Sequence, residues 1–438
     1  MNLSDKRSLS KYSITPKLIR IGVLENIKIT PIGKHMLFDD NTEYTVTVVP
    51  MEMYDETYIE QSIQFDSFKL HSENGVLSFS YTFPEEQEWI ISISCEAEPQ
   101  KLKKPIQLHV FSLEQDLYEL NPYRGDLHAH SVCSDGTEDP AIVAANYRKE
   151  GFDFFALTDH HQWQPSDYMI DVFSKIPCGF KMFHGEEVHL RGVIHVVNFG
   201  SKYSVNELYK NNAEKYHTQL TEEAKTITTP KYVNPLEYCY RKWIYNEIGK
   251  AGGITIVPHP FWIHSPGIYN MNTKMLEYVF KTGIFDAFEL VGGQSVHENN
   301  IQEAFWQQMR ADGVNIPIVG SSDSHGTDKA NYFCISKTVV FAKDMELDSI
   351  VNAIKNGYSV AIDEPYGEEY RVLGSYRMVK YARFLMEYYF PGHDELCYEE
   401  GRLMREYALG DEHSGKTLAT LSDRCDKYRE ETLRAKNT

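Results

Sequence analysis

The chain has no Cys-x-x-Cys pair, and its seven cysteines are scattered and odd in number. That spacing offers neither a disulfide framework nor a thiolate metal cage, so the cysteines read as reduced thiols. Long apolar runs are missing as well: no stretch approaches the ~20 consecutive apolar residues that cross a bilayer. Residues 1–25 are polar and charged and lack the apolar centre of a secretory signal. These features lead to the expectation of a soluble, cytoplasmic protein. Positive charge is in short supply, with 44 Lys and Arg against 63 Asp and Glu, a net charge of -19. So acidic a chain lacks the basic footprint that non-specific binding to nucleic acid or anionic membrane needs. An anionic small molecule is still admissible, because bound divalent ions reverse the local field. No internal repeat or low-complexity tract is present, and no feature sets an oligomeric state.

What the chain does have is enough apolar character for a packed core, 42% against 24% charged residues, and a length of 438 residues that implies two or three domains. Residues 1–20 read as a polar lead-in. From 21 to 120 the texture is β: segments 44–49, 75–81, 89–94 and 106–111 alternate with period two, and Asn41, Gly75 and Pro84 mark turns. A small antiparallel β-sandwich is expected there. From 121 to 362 strands alternate with helices, the pattern of an α/β domain. Its strands are expected at 181–187, 193–199, 254–257, 285–291, 316–320 and 336–342, and its helices across 204–250, 297–311 and 346–356. Residues 363–438 form a charged, helical C-terminal extension, most amphipathic over 376–389.

The most informative stretch is Arg124 to His161, RGDLHAHSVCSDGTEDPAIVAANYRKEGFDFFALTDHH. His128 and His130 are two apart after an apolar strand start, so on extended backbone both imidazoles face one side. Imidazole is the commonest protein ligand for zinc and related ions. Asp135 lies in the following Ser-Asp-Gly turn and can add an oxygen donor. Asp139 and Pro140 open a helix that Gly151 can close. Phe154 to Leu157 is then a buried strand that delivers His160 at its end. Further along, His259 follows Ile256-Val257-Pro258, and Asp323 and His325 lie in a Gly-Ser-Ser turn after Ile316 to Val319.

Joined at these spacings, H-x-H, Ser-Asp-Gly and Thr-Asp-His resemble the PHP family, the polymerase and histidinol phosphatase metallohydrolases. Gly185-Glu186-Glu187-Val188 resembles the family's Gly-x-Glu motif, with Glu187 as the ligand. The segment around His195 resembles the next motif, and His259-Pro260 and Ser322-Asp323-Ser324-His325 the last two. The resemblance covers roughly 123–360. It implies a distorted (β/α)7 barrel with two or three divalent ions (Zn, Mn or Fe) at the strands' C-terminal ends. By resemblance His128, His130, Glu187 and Asp323 hold one ion. Glu187 bridges to a second, held also by His195 and His259, and Asp135, His160 and His325 hold a third. Asp323 or His325 would manage a proton. Arg124 or Arg191 is a candidate grip for phosphate, and Asp126 for orienting a ligand imidazole. His161, His184, His189, His264 and His297 match no ligand position, although His161 or His264 is a candidate for touching substrate. Cys133, in the turn, reads as a spectator.

The implied activity is hydrolysis of a small phosphomonoester or short nucleotide, as in the stand-alone phosphoesterase branch. Features of the carbaryl-hydrolase-like branch, a β-domain before the motif and the form of the His195 and His259 segments, imply a carboxylic or carbamate ester as the alternative. A metal-stabilised binding scaffold is the non-enzymatic third reading.

Overall fold

The computed structural model describes residues 11–52, 65–95, 102, 104–190, 194–264 and 267–434. The chain divides into two units. One comprises Met1–Leu120, Lys380–His393 and Arg424–Thr438, the other Asn121–Val379 and Asp394–Asp423.

In the first unit, alternation of branched and polar residues builds two sheets over one apolar core. Tyr12–Thr15, Leu24–Pro31 and Leu77–Thr82 form a three-stranded antiparallel sheet. The other sheet runs in the order Leu18–Arg20, Ile106–Leu113, Glu88–Ser94, Tyr44–Pro50, Asp66–Leu70. Its first pair is parallel, a departure from the all-antiparallel expectation. Ile14, Ile27, Ile29, Val46, Leu77, Ile91 and Leu108 fill the core. The supposed lead-in thus contributes two strands from residue 12 onward. Their short length and the intervening Pro16-Lys17 hide the alternation. Of the C-terminal residues, Lys380–His393 and Arg424–Thr438 belong to this unit: Tyr381 and Phe384 pack on Phe111, and Lys17 N donates to Thr432 O at 3.0 Å.

The second unit is mixed α/β. Its six-stranded sheet runs Lys181–Phe183, Phe154–Ala156, Asn121–Asp126, Ser336–Ala342, Ser359–Asp363, Arg371–Leu373. A five-stranded sheet runs Gly185–Leu190, Ile194–Phe199, Ile254–Val257, Ala287–Val291, Ile318–Gly320. Between them lies a core of Leu127, Phe154, Ala156, Val197, Ile256, Ala287 and Val319. Helices such as Pro235–Lys250 and Thr273–Thr282 cover the five-stranded sheet with Ile244, Ile248, Leu276 and Phe280.

Two single bridges, Ala129↔Ser324 and His160↔Glu187, connect the sheets at strand ends. The strand pairing departs from a regular all-parallel (β/α)7 arrangement. Gly185–Leu190, Ile194–Phe199 and Ile254–Val257 join antiparallel, and only three residues separate the first two. The strand expected over 181–187 breaks at His184 into members of different sheets. Gly185 permits the break: a Cβ there would lie 2.7 Å from Leu157 O. The helix opening at Pro140 forms as expected, with Asp139 accepting from Ala141 N and Gly151 at φ 87° beyond its end. Among the described residues no helix is long and apolar enough to cross a membrane.

Candidate metal centre

The strand Asn121–Asp126 runs on into Leu127 to His130, whose odd and even members part as extended backbone requires. Leu127 and Ala129 enter apolar cores, and His128 and His130 turn the other way, both fully buried. Parallel pairing zips this segment to the Ser-Ser-Asp-Ser-His turn: Asp323 N donates to His128 O and His130 N to Ser324 O, each at 2.8 Å. Asp126 accepts from His128 N and Ser322 N at 3.1 Å, tying the two segments at their base. Burial pushes its carboxyl up to about 6 against those hydrogen bonds. Asp126 therefore fixes backbone and not an imidazole, which corrects the expected role.

Glu289 takes the imidazole instead. It is fully buried in the apolar strand Ala287–Val291, with Oε2 2.9 Å from His128 Nδ1 and Oε1 accepting from His259 N at 3.2 Å. Nothing in the motif reading singled it out. Its signal is a lone carboxylate in the run Ala-Phe-Glu-Leu-Val. Asp159 is a second such anchor. It accepts from Ser131 N at 2.8 Å, Ser131 Oγ at 2.6 Å and Ser134 Oγ, and so pins the turn that carries Asp135.

Glu187 lies at the centre, fully buried. Its Oε1 is 2.8 Å from His195 Nδ1 and 3.3 Å from His259 Nε2. Its Oε2 is 2.7 Å from His160 Nδ1, 3.2 Å from His189 Nε2, 3.5 Å from His128 Nε2 and 3.7 Å from His130 Nε2. Asp323 Oδ1 stands 3.0 Å from His130 Nε2 and 3.2 Å from His128 Nε2. Asp135 Oδ2 is 3.3 Å from both His160 Nε2 and His325 Nε2.

The nine residues proposed as ligands from sequence are thus brought to one place, and His189 joins them. His195 enters from the start of an antiparallel strand, not from a parallel strand's C-terminal end. Glu186 points the opposite way. Its carboxylate accepts from Ser204 Oγ at 2.6 Å, Val205 N at 2.5 Å and Asn206 Nδ2 at 3.1 Å, anchoring the start of the helix Val205–Lys210.

Two further expectations are corrected or left aside. Arg124 is buried and turned away from the histidines. Its guanidinium donates to Gly151 O at 2.7 Å and pairs with Asp394, so it offers no grip on substrate. Arg191 lies outside the described residues. His264 sits in the hairpin Ile263–His264 and Ile268–Tyr269, beside Trp262 at 5.8 Å between ring centroids. Trp262, partly exposed, is in turn 5.9 Å from His259 and 6.3 Å from His195. Cys133 belongs to none of the donor groups among the described residues.

The cluster is electrostatically organised for cations. Glu187, Asp323, Asp135 and Glu289 are four carboxylates facing imidazoles, three of them in buried or nearly buried positions. Burial would raise Glu187 and Asp323, but the histidines around them hold both carboxyls well below the usual range. Burial opposes charge on His160 too, yet Asp135 and Glu187 carry it up to about 10. At His195 burial wins over Glu187 and lowers it to about 4. His128 Nε2, His130 Nδ1, His160 Nδ1, His189 Nε2 and Glu187 Oε2 are buried without a well-formed hydrogen bond. Orphaned buried donors at one point are costly unless something ligates them. Metal ions fit that requirement: the donors are nitrogen and oxygen, their mutual spacing suits a shared cation, and two divalent charges would offset four carboxylates. His259 and Asp323 also hold positive φ, 26° and 49°, strain that clusters at functional positions.

No protein-family model matches the chain. A stretch of 83 residues, 19% of the chain, is 34% identical to the DNA polymerase/3'-5' exonuclease PolX of Bacillus subtilis, and spans 15% of that protein's length. Among solved structures, one similar chain is a two-domain protein from Bacteroides vulgatus described as containing a PHP-like metal-dependent phosphoesterase. It is 19% identical, with a TM-score of 0.40 over 56% of this chain and 66% of that one. A chain from Bifidobacterium adolescentis described by similarity as a metal-dependent phosphoesterase is 16% identical, with a TM-score of 0.33 over 47% and 89% of the two chains. An amidohydrolase from Chromobacterium violaceum is 18% identical, with a TM-score of 0.31 over 46% and 87%. These likenesses are partial, and the ligand geometry stands independently of them.

Proposed function

We propose that this chain, which carries the PHP family's motifs in order around one buried ligand cluster, is a metal-dependent hydrolase. Its substrate on this reading is a small phosphomonoester or a short nucleotide. The observation that carries the reading is Glu187, a buried carboxylate with imidazoles against both oxygens: His195 and His259 on Oε1, His160, His128 and His130 on Oε2.

His128, His130, Glu187 and Asp323 would hold one ion, Glu187, His195 and His259 a second, and Asp135, His160 and His325 a third. Bound divalent ions supply a water of lowered pKa and Lewis acidity toward the substrate's oxygens. The chain's own residues do the rest. Glu289 and Asp126 hold the His128 ring and backbone, so its Nε2 keeps facing Glu187 and Asp323. His325 is steered by its Nδ1 contact with Asp323 O at 2.9 Å, which leaves Nε2 toward Asp135 on the open side of the cluster. With only the first two ions bound, His325 Nε2 is free of metal and is the atom placed to pass a proton to a leaving oxygen, with Asp323 held as an anion beside it.

One observation favours a carboxylic or carbamate ester as the second reading. The exposed Trp262 beside His259 would suit an apolar or aryl substituent. Wild type and His259→Ala, loaded with Zn or Mn, should be assayed side by side on p-nitrophenyl phosphate, a 5'-mononucleotide, a dinucleotide and a naphthyl carbamate. Loss of phosphoester turnover in the variant by about 10²-fold or more is expected. Turnover of the carbamate alone would move the assignment to the second reading. Equal turnover by both proteins would mean that the cluster is not the reaction site, and no turnover of any substrate would favour a metal-stabilised scaffold.

A further inference from the structure

His189 has no counterpart among the nine ligands the sequence motifs supply, yet the fold delivers it to the same point. Glu187 and His189 are two apart in the strand Gly185–Leu190 and share its inward face. The antiparallel register sets His189 directly opposite His195, with ring centroids 3.8 Å apart. Its ring also lies 4.4 Å from His160 and 4.9 Å from His161. Its Nε2 is buried, lacks a well-formed hydrogen bond and stands 3.2 Å from Glu187 Oε2. That spacing is what two donors on one ion show, since metal–ligand bonds of ~2.0–2.2 Å at about tetrahedral to octahedral angles put donors ~3.0–3.5 Å apart. His160, Glu187 and His189 offer donor atoms within 4.8 Å of one another.

We propose that His189 Nε2 is a tenth metal ligand, sharing an ion with Glu187 Oε2. This rests on the metal-dependent reading above and deepens it. The opening for it comes from His160. That ring has Nδ1 at Glu187 and Nε2 at Asp135, 2.7 and 3.3 Å away. A neutral imidazole has one lone pair in the ring plane to give, so His160 ligates on the Asp135 side or on the Glu187 side and not both. If Nε2 serves Asp135 and His325, Nδ1 carries the proton and donates to Glu187. On the Glu187 side His160 then gives no lone pair, and His189 Nε2, 3.2 Å from Glu187 Oε2, is in place to add a nitrogen there. Two histidines on neighbouring strands, His189 and His195, would thus flank the bridging carboxylate on its two oxygens.

The test uses the full chain, stripped with chelator and refolding checked by circular dichroism. Wild type, His189→Ala, His189→Gln and a control, His184→Ala, are titrated with Zn2+ against a chromophoric chelator and with Co2+ by visible absorption. His184 pairs with Asp167 and stacks on Trp163, away from the donor groups. The expected result is that both His189 variants lose one equivalent, or bind it at least about 100-fold more weakly, and that the Co2+ bands change. Glutamine should not rescue, because an amide can donate to Glu187 but is a poor ligand. Retained stoichiometry, affinity within about twofold and unchanged Co2+ bands in both variants would overturn the proposal while leaving the metalloenzyme reading intact. Rescue by glutamine would overturn it too, making His189 a hydrogen-bond donor to Glu187. Absence of metal binding in wild type would remove both readings.

Discussion

Replacing Glu289 by glutamine keeps the side chain's size and removes one acceptor from a fully buried position. In the native chain each carboxylate oxygen faces a donor: His128 Nδ1 at 2.9 Å and His259 N at 3.2 Å. An amide has one oxygen and one NH2 group, so one of these donors loses its acceptor. If the NH2 faces His128, the imidazole must accept at Nδ1 and carry its proton on Nε2. That is the atom aimed at Glu187 and Asp323, so its ligating lone pair is lost. If the oxygen faces His128, the amide NH2 opposes the His259 N–H, and a buried donor goes unsatisfied at a cost of ~1–3 kcal/mol. At ~1.4 kcal/mol per factor of ten this is about 10- to 100-fold in metal affinity, the range expected when a ligand's outer partner is removed. The assay is Zn2+ titration against a chromophoric chelator, with the unfolding transition of the metal-free proteins measured alongside. Affinity within about twofold of wild type would refute the claim that Glu289 sets the His128 tautomer.

Two further predictions address structure away from the ligands. Glu186→Gln should lower the unfolding midpoint, because its carboxylate anchors Ser204, Val205 and Asn206, yet leave metal stoichiometry unchanged; a lost equivalent would mean that Glu186 and Glu187 have been assigned the wrong roles. Lys17 is buried in the first unit, and burial lowers its ammonium from 10.5 to about 8. A base lowered on folding is penalised at full strength below pH 8, and the penalty of about 3 kcal/mol is relieved as pH rises from about 8 to about 10.5. Lys17→Met should therefore raise stability at pH 7 in denaturant titrations and flatten the alkaline rise. A variant less stable than wild type at pH 7 would contradict this.

The ligand motifs were legible in the sequence because each is local: a strand end, a turn and one or two donors within a few residues. Position along the chain did not reveal what the side chains between them do. Arg124 sits four residues before His128, yet its partner is Asp394, 270 residues away, and nothing local points to it. His189 looked unremarkable until the break at His184 and the register opposite His195 set its direction. Glu289 acts through His128, 161 residues distant, and only burial of the whole strand gives it that role. The same limit applied to the fold. Long alternating runs such as 89–94 and 106–111 announced themselves, whereas Leu18–Arg20 and Phe154–Ala156 are too short for periodicity to fix their sheet or partner.

The central claim is that the converging imidazoles and carboxylates around Glu187 hold divalent cations. Elemental analysis of the full chain after loading with Zn or Mn and removal of excess tests it most directly, with Glu187→Ala measured in parallel. The expected result is at least about two equivalents per chain in wild type and a loss of at least about one in the variant, since Glu187 lies against two of the three proposed sites. Less than about half an equivalent in loaded wild type, or equal content in the two proteins, would contradict the account.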